Sequence, residues 1–553
     1  MGTKRKPAGL GEDNEPPRAS PKPVFRVDDT TPEVVQSVLL ERGWSRFNGR
    51  SQDGDDWDLY WRTPPFPVTK HVSLQPWQQL NHHPGTSRLT RKDDLAKLLR
   101  HMQGAHGAGL YTFIPLTFVL PNEYHKFVAE YSREMLRTNP GYWICKPAEL
   151  SRGRGISIFR DIRDLAFDDT CVVQKYICNP LLVGHYKCDL RIYVCVTAFQ
   201  PLTAYIYQEG LVRFATEKFD LRNLRSDYAH LTNSSINRSG PSYGACKEVI
   251  GRGCKWLLSR LFSYLRLRGV DDGLLWRQIC RLAILTLLAA APGIPTAANC
   301  FELLGFDVLV DDSFKPWLLE VNYSPALTQH CTTDVSLKRE LIHDVIELVH
   351  GAGAHVWGWA GNRTSSAEDQ GHRDRPSKGR GPLPCWPHLQ VVGRALSQGE
   401  PFAIRGRARG TGPQATQACM PRESMPEQDR LSTWTELPRA KARVRSRLTQ
   451  RKSSALQSHS CRPASSPGPP PSNSSECPKP QVGNFILIFP FNKATFQASR
   501  KRLNVKGIMH ELQKFMSKQE CLVAESGMDT RGTLRAFKGL HMGHRPRELL
   551  YSH

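Results

Sequence analysis

Asp307-Val308-Leu309-Val310 and, a few residues on, Trp317-Leu318-Leu319-Glu320-Val321-Asn322 form the stretch that decides how this chain is read. It reads as two adjacent β-strands. Side chains alternate between the faces of a strand, so Glu320 and Asn322 share one face. With Asp307 on the neighbouring strand, three oxygen-bearing side chains lie on one sheet surface. Such a set suits a hard cation such as Mg²⁺, which takes oxygen ligands and commonly keeps nucleotide phosphates as the others. The plainer alternative is a hairpin with a polar face. Against it, Glu320 and Asn322 interrupt an otherwise apolar strand.

Upstream residues extend the pattern. Lys146 precedes the loop Ser151-Arg152-Gly153-Arg154-Gly155. Its glycines let backbone N–H groups approach a phosphate, while the lysine and arginines supply charge. A solvated basic turn would look the same. In Lys187-Cys188-Asp189-Leu190-Arg191 the charged residues alternate onto one face, and Leu190, Ile192 and Val194 onto the other. A charged row in a buried strand is costly unless paired or liganded; an exposed edge face is the alternative. Val172 to Ile177 reads as a strand running into a connector, either plain core or a backbone edge for an adenine. Arg213, between Val212 and Phe214, could grip a phosphoryl group or a carboxylate with both arms of its guanidinium. Thr232 and Asn233 read as turn or capping residues. Glu302 could support the carboxylate set from behind.

Composition bounds the rest. At 553 residues with 39 % hydrophobic content, the chain has room for several domains and for stretches that do not pack. A net charge of +23 favours a polyanionic partner: nucleic acid, an anionic membrane surface or an acidic protein. The fifteen cysteines form no Cys-x-x-Cys pair, which argues against a zinc ribbon or disulfide framework and fits reduced thiols. The N-terminus lacks the apolar core of a secretory signal. The apolar run from Leu282 to Pro292 is short against the ~20 residues of a membrane span and reads as a buried helix. There is no zinc motif, RNP-type aromatic string or helix-turn-helix signal for nucleic acid.

Residues 1–23 read as disordered. Helices are predicted near Val34–Leu40, over Arg91–Gln103 and Glu123–Arg137, as one long basic amphipathic helix over Lys247–Arg268, and over Val335–Val349. Residues 351–480, rich in Arg, Ser, Pro, Gly and Gln, read as a disordered basic linker. The apolar island in 481–520, beginning Phe485-Ile486-Leu487-Ile488-Phe489, is expected to dock on the main body, with a tail over 521–553.

In order along the chain, several strings resemble the tubulin–tyrosine-ligase-like family. They are Trp57-Asp58-Leu59-Tyr60-Trp61, Asn81-His82-His83-Pro84-Gly85, Leu89-Thr90-Arg91-Lys92-Asp93, Lys146-Pro147 with Ser151–Ile156, Gln174–Ile177, Asp189-Leu190-Arg191, His230–Asn233 and Glu320–Pro325. The likeness covers roughly residues 24–350 and is closest to the glutamylating branch. It implies an α/β (α+β) ATP-grasp fold with subdomains 24–125, 126–199 and 200–350. It implies that Lys92, Lys146, Arg152, Gly153 and Lys187 meet ATP phosphates. Gln174, Lys175, Tyr176 and Ile177 would line the adenine, with Asp189, Thr232 and Asn233 completing the pocket. Asp307, Glu320 and Asn322 would hold two Mg²⁺ ions. Arg191, Arg213 and Glu320 would be catalytic, and Arg213, Ser235 and Lys338 would bind free glutamate.

The implied activity is ATP-dependent addition of glutamate to glutamate side chains in acidic α- or β-tubulin tails, through an acyl phosphate, by a monomer in the cytoplasm or cytoskeleton, or at a cilium or flagellum. Such tails would use the basic balance. His83 stands where an aromatic is expected, Ser234 and Arg238 where Tyr and Lys are common, and Thr332-Thr333 where the family is more acidic. Two rivals remain: a glycine ligase of the same family, and a catalytically silent microtubule-binding protein.

Overall fold

The computed structural model describes residues 22–350 and 478–525, apart from 50–54 and positions 139, 168, 298 and 501. Of the stretches expected to be disordered, 1–23 and 351–480, all but 22–23 and 478–480 lie outside the described residues; of the expected tail 521–553, residues 521–525 continue the helix Val505–Glu525 and the remainder lies outside them. Mixed helix and sheet characterise the described residues.

Three sheets follow one another along the chain. The first has parallel pairings in the order β2-β1-β3-β4, from β1 (Val24–Val27), β2 (Ser45–Arg46), β3 (Leu59–Trp61) and β4 (Gln79–Leu80). The second is antiparallel in the order β5-β8-β6-β7, from β5 (Thr117–Leu120), β6 (Trp143–Pro147), β7 (Ser157–Phe159) and β8 (Cys171–Lys175). The third has eight antiparallel strands: β9 (Leu182–Val183), β10 (Tyr186–Phe199), β11 (Leu202–Phe214), β12 (Lys255–Leu257), β13 (Glu302–Val310), β14 (Pro316–Asn322), β15 (Gln481–Val482) and β16 (Phe485–Phe489).

Sheet membership cuts across the expected segment boundaries. β5 lies before residue 126 yet pairs with β8, and β10 lies before residue 200 yet sits between β11 and β13. Strand pairing is set by long-range burial, which local pattern does not report.

Alternation explains the middle of the large sheet. Leu190, Ile192, Val194 and Val196 of β10 join Leu304, Phe306 and Val308 of β13 in one core cluster under the helix Asp272–Ala290. Tyr193 and Cys195 point the other way, into a cluster with Leu337, Leu341 and Val345 of the helix Thr332–His350. Lys187, Asp189 and Arg191 share that second face at the far end of the strand. In the second sheet Trp143 and Cys145 turn into a core with Phe127 of the helix Tyr124–Met135. The alternate residues Ile144 and Lys146 face a cleft.

The helix Asp272–Ala290 starts at Asp271, whose carboxylate accepts from Leu274 N at 2.9 Å, an ordinary N-cap. With its last turn it has the length and apolarity of a membrane span, mean hydropathy 1.5, but 72 % of that window is buried inside the protein. The long helix expected over Lys247–Arg268 is not formed. Gly251 and Gly253 adopt positive φ, Lys247 bridges back to Gly251, Lys255–Leu257 pairs with β11, and only Leu258–Arg266 is helical. Glycine in the left-handed region ends a helix readily, and a free edge on β11 rewards extended backbone instead.

Candidate active site

Register builds the site. Across the large sheet Asp189 lies opposite Arg213, Arg191 opposite Asp307, Asp307 opposite Glu320, and Gly305 opposite Asn322. Opposite charges on facing strands stabilise a sheet, and here they lock together. Arg213 grips Asp189 with both arms, at 2.7 and 2.6 Å, and reaches Asp307 at 2.9 Å. Arg191 grips Asp307 at 2.6 and 3.1 Å. Thr232 adds its hydroxyl to Asp189 at 2.6 Å. Burial alone would raise the Asp307 carboxyl, but the two guanidiniums hold it well below the usual carboxylate range. Asp189 and Asp307 keep Arg213 firmly protonated against burial. Both arginines expected to face substrate thus spend their charge on aspartates.

Glu320 behaves differently. Burial, then the nearby Asp307 charge, raises its carboxyl above the ordinary value, with Lys92 and Lys146 opposing. Lys92 lies 3.8 Å away and also donates to Leu150 O. The Asn322 amide donates to Glu320 at 3.3 Å. Two carboxylates and an amide oxygen are hard donors, and Glu320 gains from any cation placed beside Asp307; the donor chemistry therefore fits a divalent ion. Among the described residues no cluster of three or more His, Cys, Asp or Glu is assembled to hold one.

A cleft of about 840 Å³ lies between the second and third sheets. Its lining brings together Lys92, Lys146, Arg152, Gly153, Gln174–Ile177, Lys187, Asp189, Arg213, Thr232, Asn233, Asp307 and Glu320. Two buried lysines dominate it. Lys146 donates to Gln174 Oε1 at 2.9 Å, and Lys187 to the Tyr176 hydroxyl at 2.9 Å and His230 O at 2.8 Å. Burial lowers Lys146 to about 8 and Lys187 to about 7. Desolvation penalises an ammonium; Glu320 and Asp307 offset this at Lys146 and Asp189 at Lys187, but among the described residues neither lysine has a carboxylate hydrogen-bond partner, so the pair gains from an anion. The connector is less free than expected: Gln174 also donates to Thr117, and Lys175 turns away onto Glu134. The loop presses on Asn233. Arg152 and Gly153 have positive φ, and a Cβ on Gly153 would lie 2.5 Å from the Ile236 side chain.

A larger cleft of about 1920 Å³ adjoins it, sharing Ser151, Arg152, Arg213, Asn233 and Glu320. Arg191, Ser235, Asn322 and Lys338 line this one. Lys338 is held by Thr328 O at 2.6 Å and by Asp334 at 2.9 Å. Asp334, fully buried, is brought down to about 2 against its burial by Lys338 and Lys255. Lys255, at 2.6 Å from Asp334 and opposite Arg213, escaped the sequence reading, which had placed it in a helix. Glu302 lies behind the site and accepts from His82 Nδ1 at 2.6 Å, His83 N at 3.0 Å and Thr86 Oγ1 at 3.1 Å, anchoring the Asn81–Thr86 turn. His83 is buried edge-on against Phe199, and burial drops it to about 3.

The model of the tubulin-tyrosine ligase family matches residues 70–355, just over half of the chain and the part that carries the lysine cleft and most of the lining of the larger one. The chain belongs to this family. Its relatives include human "probable tubulin polyglutamylase TTLL2", 57 % identical over 93 % of this chain and 88 % of that protein. The mouse protein of that name is 53 % identical over 92 % and 95 %. Mouse "tubulin polyglutamylase TTLL5" is 37 % identical over 59 % of this chain and 25 % of its own length. Membership in the tubulin-tyrosine ligase family makes the chain one of a family of ligases, which implies the use of ATP.

Proposed function

We propose that this chain is an ATP-dependent ligase that adds glutamate to tubulin. The carrying observation is the pair of adjoining clefts, one lined by desolvated lysines and the other by a cationic wall, meeting at Arg213 and Glu320. The names of the close relatives choose the substrate. The two antiparallel sheets flanking the nucleotide cleft support an ATP-grasp arrangement. Lys146 and Lys187 bind and orient the ATP phosphates. The Gly153 turn closes over them and keeps water out. Asp307, Glu320 and Asn322 would hold the Mg²⁺, which supplies Lewis-acid neutralisation of the transferring phosphoryl group.

A carboxylate is a poor electrophile. A glutamate side chain of the tubulin tail therefore attacks the γ-phosphorus; ADP leaves and an acyl phosphate forms. The free glutamate amine then attacks the acyl carbon, the amide forms, and phosphate and the amine's proton depart. Lys255 and Lys338 hold the carboxylates of the incoming glutamate, helped by the open side of Arg213. Acidic tails drawn by a chain of net charge +23 explain the basic balance.

The test incubates the full chain with microtubules, ATP, Mg²⁺ and labelled glutamate, glycine or tyrosine in parallel. Glutamate alone is expected to be incorporated, and Glu320→Gln to abolish about a hundredfold or more of that rate with its melting unchanged. Glycine incorporation would transfer the reading to a glycine ligase. Microtubule binding without any incorporation would leave a silent binder.

A further inference from the structure

The segment 478–525 lies beyond the family-matched residues, yet it is built into the same sheet as the site. β16 pairs antiparallel with β11, placing Phe485 opposite Tyr207, Ile486 opposite Ile206 and Phe489 opposite Ala204. Phe485, Ile488 and Phe489 are fully buried, and Ile508, Met509 and Leu512 of the helix Val505–Glu525 seal the core beside Asp272–Ala290. At the same point the turn before β16 clips a second element. Asn484 N donates to Asp344 Oδ2 at 2.8 Å, and Gly483 packs so tightly on that carboxylate that no Cβ would fit. Asp344 sits on the helix Thr332–His350, which carries Asp334 and Lys338. β11 carries Arg213. The segment therefore touches both elements that hold the cationic wall of the larger cleft.

We propose that residues 478–525 are a clamp belonging to the ligase itself. By completing the sheet edge and pinning the helix, the segment holds Arg213 and Lys338 in their working relation. Without it, the Ala204–Tyr207 edge would present unpaired backbone groups over an exposed aromatic core, which a sheet does not tolerate quietly. Strand addition to an open edge draws affinity from the main chain and selectivity from alternate side chains, so the clamp is recognised by its Phe-x-x-Ile-Phe spacing. Tethering makes the docking intramolecular, and the closure cost grows only slowly with the length of the connection. The catalytic consequence rests on the ligase reading; the docking does not.

A protease recognition sequence inserted after residue 410 of the full chain, cut after purification, separates the two claims. The pieces are expected to co-elute and to keep incorporation within twofold of the uncut chain. The same nicked protein carrying Phe485→Ala and Phe489→Ala should release its C-terminal piece, lose at least tenfold of its incorporation, and recover when excess unmutated piece is added. Hydrogen exchange at the Ala204–Tyr207 amides reads the clamp without any turnover: protection should vanish on release and return on re-addition. Release with unchanged incorporation, or with those amides still protected, overturns the proposal. An inactive uncut chain whose amides follow docking would overturn the ligase reading and keep the clamp.

Discussion

Two groups of cations lie within one site and are held in opposite ways. Arg191 and Arg213 are buried against Asp189 and Asp307, charge for charge, through forked hydrogen bonds. Lys146 and Lys187, equally buried, have only neutral hydrogen-bond partners among the described residues. The arginines are thus satisfied before any substrate arrives and serve as a positioned scaffold. The lysines are destabilised until an anion reaches them. A folded protein tolerates the second arrangement where binding later repays it.

Breaking the scaffold should cost most. Asp307→Ala takes from the buried Arg191 its carboxylate partner and from Arg213 one of its two, and removing one partner of a buried ion pair costs about 3–5 kcal/mol. A large fall in melting temperature is expected, with loss of turnover. Retained melting would mean that the lattice is solvated rather than locked. Lys187→Met should do the reverse. It removes a desolvated charge, so melting should hold or rise while nucleotide affinity drops by about tenfold to a hundredfold, read by calorimetry. Equal losses of stability in the two variants would erase the contrast between the groups.

Gly153→Ala probes the lid of the lysine cleft. Positive φ and the Ile236 contact at 2.5 Å should weaken nucleotide binding and cost about 1–2 kcal/mol, seen as a lower melting temperature. The smallest effect is the pH dependence. The folded pKa values, about 8 for Lys146 and about 7 for Lys187, lie below the ordinary lysine value of about 10.4. The unfolded chain therefore binds more protons between those limits, and the empty protein should gain stability as pH rises from about 7. Nucleotide phosphates favour the charged lysines, so binding should take up protons and weaken a few-fold from about pH 7 to 9. Proton uptake measured in two buffers of different ionisation heat checks the sign; zero uptake would put the lysines back at ordinary values.

Much of this was legible in the sequence because alternation is local. The faces of Asp189, Arg191, Glu320 and Asn322 follow from period two, and the hairpin bearing Asp307 was evident. Partners were not legible. Nothing in the strings around Arg213 says that its charge goes to Asp189, nor that Lys255 stands opposite it, because both facts come from strand pairing. The helix expected over Lys247–Arg268 failed for the same reason: an open edge on β11 outbid helical periodicity. Phe485–Phe489 was conspicuous as an apolar island, but its partner Leu202–Phe214 is nearly three hundred residues earlier in the chain.

That separation has a consequence for synthesis. The helix Asp272–Ala290 leaves the ribosome long before Phe485–Leu512, which covers part of the same core. At roughly 5–20 residues per second, the intervening stretch delays the cover by on the order of ten to forty seconds. Throughout that interval a helix apolar enough for a bilayer waits with part of its neighbourhood bare, a natural customer for a chaperone. Deleting part of 351–477 would shorten the wait, and the soluble yield of newly made protein should rise with it.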